Sequence, residues 1–268
     1  MKCLDLADAR IAYTDDGEGE AVLLLHGSLS PDWFAPAAAH LAGHRVLRTH
    51  RAGYGKSEDL IGGVGVDAHA EHCAEVLRAS GVRRAHVAGH SAGACVALQL
   101  AHAHPALVGS LMLFEAAFPH APDEPRNPAM PRALAAARAG EYERAFDLFL
   151  GGMCGPGFRD VFVRELGERG LRDAIESSQY FFTTETEAFA KWSFGPAELA
   201  ALTAPVLLVV GGEGARLNTA HRARSARIAA LLSHSETRLL PGVSHAMPLE
   251  DPTLIARTIG DFVTRHPL

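Results

Sequence analysis

The sequence predicts an α/β protein: a mostly parallel, eight-stranded sheet flanked by helices, with a helical segment inserted into it. Three observations carry that expectation. From residue 20 to about 115, short apolar runs alternate with amphipathic stretches. The alternation breaks at Pro119 and resumes at Pro205. The apolar runs are short and bounded by Gly or by charge, the pattern of strands covered on both faces.

Each element follows in order. Lys2–Leu6 and Arg10–Thr14 read as a leading hairpin, and Ala21–His26, Val46–His50, Ala85–Gly89 and Ser110–Phe114 as buried strands. Between them Asp32–Ala42, Val66–Ser80 and Ala92–His104 have helical spacing. In the second, Ala70, Cys73, Ala74 and Leu77 recur at i, i+3, i+4 and i+7, and Gly81 stops the helix. Strand–helix alternation builds βαβ units and hence a parallel sheet. Pro119, Pro122, Pro125, Pro128 and Pro131 then exclude a strand. Beyond them Arg132–Ala139, Glu141–Leu150, Arg159–Gly167 and Arg169–Phe182 are helix-like. Residues 119–203 therefore read as a helical cap, inserted into a core formed by 1–118 and 204–268. The core resumes with a strand at Val206–Val210, a helix at Arg222–Leu232, a strand at Thr237–Leu240 and a last helix at Pro252–Arg265.

Composition narrows the classes. Of 268 residues, 48% are hydrophobic and 21% charged, which is ordinary for a globular protein and excludes a disordered chain. A net charge of −6 argues against a nucleic-acid partner. Met1–Arg10 carries Asp5 and Asp8 and lacks the apolar core of a signal peptide. No apolar run approaches the roughly 18 residues of a membrane span. Four cysteines without CxxC spacing disfavour a zinc ribbon or a disulfide scaffold. The expectation is a cytoplasmic monomer or homodimer with reduced thiols and a small-molecule substrate. Neither metal-ligand spacing nor a dinucleotide-binding glycine motif is present, so no cofactor is expected.

The strongest local signal is Gly89-His90-Ser91-Ala92-Gly93, a G-x-S-x-G with a strand before it and a helix after it. Side chains in place of its glycines would crowd a sharp strand-to-helix turn, and that turn lifts Ser91 into the open. The plainer alternative is a serine N-cap at an ordinary junction. A second signal is His26-Gly27-Ser28, directly after the strand AVLLL. A serine attacking a carbonyl needs donors where the oxyanion forms, and the amides of Ala92 and Ser28 are placed to supply them. His26 reads as a brace for that loop.

These pieces, with Arg51-Ala52-Gly53-Tyr54-Gly55-Lys56-Ser57 and Gly242-Val243-Ser244-His245, resemble the α/β-hydrolase family over nearly the whole chain. The resemblance implies an α/β-hydrolase fold, a variable cap at 119–203 and a Ser–His–acid triad. It makes the Arg51–Ser57 segment a structural turn. The Asp usual two places before that arginine is Thr49 here, so one common brace is missing. Of 15 histidines, His245 alone lies in a Gly-containing loop between a strand and the final helix, where the family places its base. His221 and His234 merely flank a helix.

The acid departs from the common pattern. The usual offset from Gly211 lands on Gly214, with Glu213 one position early. Glu115 follows the strand SLMLF directly, which looks like the glutamate after the sixth strand of haloalkane dehalogenases. A carboxylate at a buried strand end is costly unless paired, and an imidazole would pair it. Glu115 leads, with Glu213 and no carboxylate as alternatives.

The implied chemistry is nucleophilic acyl transfer through Ser91, His245 and Glu115, with Ser28 and Ala92 as oxyanion donors. A serine at position 91 disfavours the dehalogenase and epoxide-hydrolase branches, which need a carboxylate nucleophile. Trp33, Phe34, Phe182 and Trp192 are candidate pocket walls, giving an apolar carboxylic ester or lactone as substrate. A thioester or C–C hydrolase, a biosynthetic lyase or cyclase, and a ligand-binding protein are the alternatives.

Overall fold

A computed structural model describes residues 1–119, 127–213 and 220–268. Among the described residues nine strands form one sheet: β1 (Lys2–Asp5), β2 (Ala9–Asp16), β3 (Ala21–Leu25), β4 (Arg45–Thr49), β5 (Glu58–Asp59), β6 (Ala85–His90), β7 (Val108–Phe114), β8 (Val206–Gly211) and β9 (Ser235–Leu240). Eight run in the order β1-β2-β4-β3-β6-β7-β8-β9, and the two-residue β5 pairs with β2 outside that path. β1 and β2 form the antiparallel leading hairpin, and every pair from β4 to β9 is parallel. The chain is an α/β-hydrolase fold.

The central parallel strands β3, β6, β7 and β8 are buried along their whole length, so they need no polar face. One face is covered by α2 (Val66–Ala79), α3 (Ala92–Ala103) and the helix Ala220–Leu231, whose apolar residues join Leu23, Leu25, Val87 and Leu111. The other is covered by α1 (Ala35–Ala38) and the final helix Pro252–Arg265, around Val22, Leu24, Met112 and Phe114. The α1 helix is a single turn, shorter than the Asp32–Ala42 expected. Pro36 has no N–H to donate to Asp32, so the helix can begin only with proline in its first turn.

Between β7 and β8 lie α4 (Met130–Arg138), α5 (Tyr142–Cys154), α6 (Phe158–Tyr180), a π-helical turn (Phe181–Glu185), α7 (Thr186–Ala190) and α8 (Pro196–Ala200). The two helices expected at 159–182 form one element that breaks at Gly167, with φ 71° and ψ 173°. A third apolar cluster, including Phe146, Phe158, Phe162, Phe181 and Phe182, fills this helical insertion and reaches Trp33 of the core. Among the described residues no helix is long and apolar enough to cross a membrane.

Strand order reverses at β3: β4 lies on one side of it and β6 on the other. In open α/β sheets the crevice at such a reversal, beyond the carboxyl ends of the strands, is where ligands bind. Register keeps those ends level. Leu25 pairs with Gly89, Gly89 with Leu113, and Phe114 with Val209. Gly27, Ser91 and Glu115 thereby leave the sheet in one row, beside Gly211 at the end of β8.

Candidate active site

Ser91 sits at φ 53° and ψ −116°, a region that non-glycine residues rarely occupy. The turn holds it there. Its N–H donates to Phe114 O at 2.9 Å, and its carbonyl accepts from the N–H groups of Ala94 and Ala117 at 3.1 Å each. Gly93 permits the close approach: a Cβ there would lie 2.2 Å from Leu25 O. Ser91 remains partly exposed while His90, Ala92 and Gly93 are buried. Ala92 opens α3, so its N–H is one of the helix donors without an intrahelical partner.

Gly27 lies against this elbow. A Cβ on Gly27 would be 3.1 Å from Ser91 Cβ, which puts the Gly27–Ser28 peptide beside the serine. Two neighbours hold that peptide by its oxygen. His26 Nε2 accepts from Arg51 N–H at 2.8 Å, so the ring proton is on Nδ1, which donates to Gly27 O at 2.6 Å. Arg51 Nη2 donates to the same oxygen at 3.1 Å. Burial, then the Arg51 charge, keeps His26 neutral, well below the usual imidazole range.

Glu115 leaves β7 at φ 45°. Its N–H donates to Val209 O at 3.0 Å, and Gly211 N–H donates to its Oε1 at 2.8 Å. Its Oε2 is 2.7 Å from His245 Nδ1. The carboxylate at His245 is therefore that of Glu115. Glu213, the alternative, has its N–H on Val243 O at 3.0 Å, and Gly214 lies outside the described residues. Both members of the Glu115–His245 pair are buried, and burial disfavours charge on either. It pushes Glu115 up to about 8, opposed by the Gly211 N–H and the Arg224 charge. Burial, reinforced by Arg224, lowers His245 to about 3.

The His245 loop is braced from three sides. His90, next to Ser91, donates through Nε2 to His245 O at 2.8 Å, and the two rings lie 4.6 Å apart. Glu250 accepts from Ser244 Oγ at 2.6 Å and from Ser244 N–H at 2.5 Å. Arg164 of α6 donates to Leu249 O at 3.1 Å and Glu250 O at 3.2 Å, which ties the insertion to this loop.

The four candidate pocket residues do not form one wall. Trp33 and Phe182 share the insertion's apolar cluster, and the Trp33 indole donates to Ser28 O at 2.8 Å. Phe34 packs under the sheet against Phe114 at 5.7 Å. Trp192 packs with Phe118 and Phe194 and donates to Gln99 Oε1 at 3.0 Å.

Residues 22–258 match the family model described as "Alpha/beta hydrolase family". The chain belongs to the α/β-hydrolase family. A Burkholderia vietnamiensis strain G4 protein named 2-hydroxy-6-oxononadienedioate/2-hydroxy-6-oxononatrienedioate hydrolase is 37% identical over 118 residues, which cover 41% of either chain. "Putative carbamate hydrolase RutD" of Variovorax paradoxus strain S110 is 29% identical over 258 residues, 92% of this chain and 93% of the relative. The enol-lactonase from Burkholderia xenovorans LB400 superposes with a TM-score of 0.82, covering 98% of this chain and all of that one at 18% identity. That last likeness is one of fold.

Within this α/β hydrolase, three features escaped the sequence. His221 stacks on His245, ring centroids 4.6 Å apart and planes 14° from parallel. Its Nε2 lies 3.9 Å from Glu115 Oε2. Among the described residues, Glu115, His221 and His245 form one group of three metal-capable side chains, with donor atoms within 4.8 Å of one another. A cation there would compete with the proton between Glu115 and His245. The second feature is His90: position x of G-x-S-x-G carries no side-chain signal in the motif. The third is Glu185, which ends the π-helical turn and is 1% exposed.

Proposed function

We propose that this α/β hydrolase is a serine hydrolase that cleaves a small, largely apolar carboxylic ester or lactone through an acyl-enzyme. The observation that carries this reading is the 2.7 Å contact between Glu115 and His245 at the end of the strand next to the strained Ser91 elbow. Ser91 Oγ attacks the carbonyl carbon while His245 Nε2 takes its proton. Glu115, at Nδ1, keeps Nε2 in the acceptor form and steadies the imidazolium as it develops. The N–H groups of Ser28 and Ala92 receive the oxyanion. His245 then protonates the leaving oxygen, and water repeats the sequence in reverse to release the acid. The inserted segment 119–203 acts as a cap over the apolar acyl pocket, with Trp33 and Phe182 as its closest candidates.

The test is hydrolysis of p-nitrophenyl acetate by the wild type and Ser91→Ala, alongside their melting curves. Loss of a triad member leaves only binding and the oxyanion donors, so the variant should fold and lose roughly 10³-fold or more in kcat. A fluorophosphonate should label Ser91 alone, read by peptide mapping. Activity of Ser91→Ala within tenfold of wild type overturns the reading.

The Burkholderia vietnamiensis relative favours a second reading, hydrolysis of a C–C bond beside a carbonyl by the same residues. A dicarboxylate substrate of the kind in that relative's name needs free cations. Arg51 does not offer one, because Glu185 already pairs with it.

A further inference from the structure

The Arg51–Ser57 turn is where the insertion is seated on the core. Arg51 is 2% exposed, and burial of its charge is offset by a carboxylate that does not come from the sheet. Position 49, where the family usually has Asp, is Thr. The partner is Glu185, at the end of the π-helical turn, with Oε1 2.5 Å from Arg51 Nη1. Glu185 is 1% exposed, and its Oε2 also accepts from Tyr54 OH at 2.5 Å. The turn is seated by contact as well as by charge. Tyr180 lies so close over Gly53 that a Cβ there would come 2.1 Å from the ring. Phe189 of α7 lies 5.5 Å from the guanidinium.

The other side of the same guanidinium holds the oxyanion loop. Arg51 Nε donates to His26 O at 3.2 Å and Nη2 to Gly27 O at 3.1 Å. A peptide unit is planar and trans, so its C=O and the following N–H point in opposite directions. Fixing Gly27 O toward Arg51 fixes the Ser28 N–H away from it. A cation on the oxygen also polarises the amide and strengthens its donor end. One planar guanidinium therefore joins a carboxylate of the insertion to the peptide that carries an oxyanion donor. A lysine, with a single point of charge, could not span all these acceptors.

We propose that Arg51 and Glu185 are positioning residues that hold the Ser28 N–H in its oxyanion-binding orientation, so that this donor is in place only while the insertion is docked. This rests on the serine-hydrolase reading above. Without Glu185, the buried guanidinium is left uncompensated and swings toward other acceptors, so Gly27 O keeps only its bond from His26 Nδ1 and the peptide is held less firmly. Cap closure and the readiness of the oxyanion site are then one event.

The experiment uses the full chain and compares wild type with Glu185→Gln. Folding is read by circular dichroism and melting. Chemistry is read as kcat and KM for p-nitrophenyl acetate and as affinity for a boronic acid, whose tetrahedral Ser91 adduct puts an oxygen where the oxyanion forms. Removing one oxyanion donor outright costs about 10²–10³ in kcat, so losing its orientation should cost about 10- to 100-fold. KM should stay within about threefold, and boronic acid affinity should fall by about the same factor as kcat. If Glu185→Gln does not fold, Glu185→Asp, which keeps the charge, carries the test with a smaller loss in the same direction. A folded variant with wild-type kcat and boronate affinity overturns the proposal, as does a loss confined to KM. Should wild type hydrolyse no ester, or Ser91→Ala keep its activity, the functional reading itself fails. The two failures are distinct.

Discussion

His221 lies face to face with His245, the two imidazole planes 14° apart at a centroid separation of 4.6 Å. Both rings are buried, and each approaches the Glu115 carboxylate. In the proposed mechanism His245 is the base, and a base that turns about its own side-chain bond loses its aim. The stack holds the plane of His245 while Glu115 holds one edge of it.

Replacing His221 by Ala should lower kcat by on the order of tenfold with little change in KM, because an aromatic pair contributes about 0.5–1.5 kcal/mol beyond its buried area. His221→Phe keeps a flat face and should recover most of the loss. Steady-state kinetics of both variants decide it; equal losses in the two would rule out stacking as the cause.

Glu115→Gln should cost far more activity than Glu213→Gln. The amide keeps the shape of the side chain and removes the charge that favours the productive tautomer of His245. In a serine protease that change costs about 10⁴-fold, and a loss of about 10²–10⁴ is expected here. Comparable kcat values for the two variants would remove Glu115 from the triad.

The pH profile should be displaced upward. With Glu115 at about 8 and His245 at about 3, the pair holds one proton between its members near neutral pH. Losing that proton as pH rises leaves a carboxylate and a neutral imidazole with Nε2 free, which is the working base. Accordingly kcat/KM should rise through about pH 8, above the usual imidazole value of about 6.5. Glu115→Gln removes the titrating carboxyl, and its residual activity should rise at lower pH. A limb at about 6.5 in both proteins contradicts the assignment.

Gly53→Ala should destabilise the chain without touching the reacting groups. Gly53 has φ +81°, and Tyr180 occupies the space a methyl would need. Backbone strain alone costs about 1–3 kcal/mol, and Tyr180 must also leave its contact with Tyr54. Calorimetry should show Tm falling by several degrees; an unchanged Tm would mean that the insertion does not depend on this seat.

Phe182→Ala and Trp192→Ala should behave differently. Phe182 shares a cluster with Trp33, whose indole is bonded to Ser28 O, so its loss should alter the preference between short and long acyl chains. Trp192 lies with Phe118 and Phe194, and its truncation should cost about 3–5 kcal/mol of stability with little effect on that preference. Rates on a series of p-nitrophenyl esters, with melting curves, separate the two; the opposite pattern would exchange their roles.

Strands were the most legible part of the sequence, because a run apolar on both faces has few other places to go. Val206–Gly211 and Ser235–Leu240 were each located to within two residues at either end. The final helix, Pro252–Arg265, was placed to the residue, and the structure adds that the Asp251 side chain caps it. Asp32–Ala42 was over-read, since periodicity survives a proline that the hydrogen bonding does not. The place of Glu115 beside His245 was legible because an acid directly after a buried strand has few partners in reach. Glu185 was not. It lies in Thr183-Thr184-Glu185-Thr186-Glu187, where nothing separates it from Glu187 until the π-helical turn carries one inward and leaves the other exposed. The role of His221 depends on how the helix Ala220–Leu231 docks, which no local pattern records.

The hydrogen bond between Glu115 and His245 spans 130 residues of sequence. Closing a chain segment of that length has an entropic cost, and contacts so distant in sequence form late. During synthesis the N-terminal part of the chain emerges first. A nascent chain thus displays Ser91, and then Glu115, long before the His245 imidazole can reach them. In the reading proposed for this chain, reactivity begins when β8 and β9 add to the sheet edge and bring the histidine loop home, so completion of folding and onset of activity coincide.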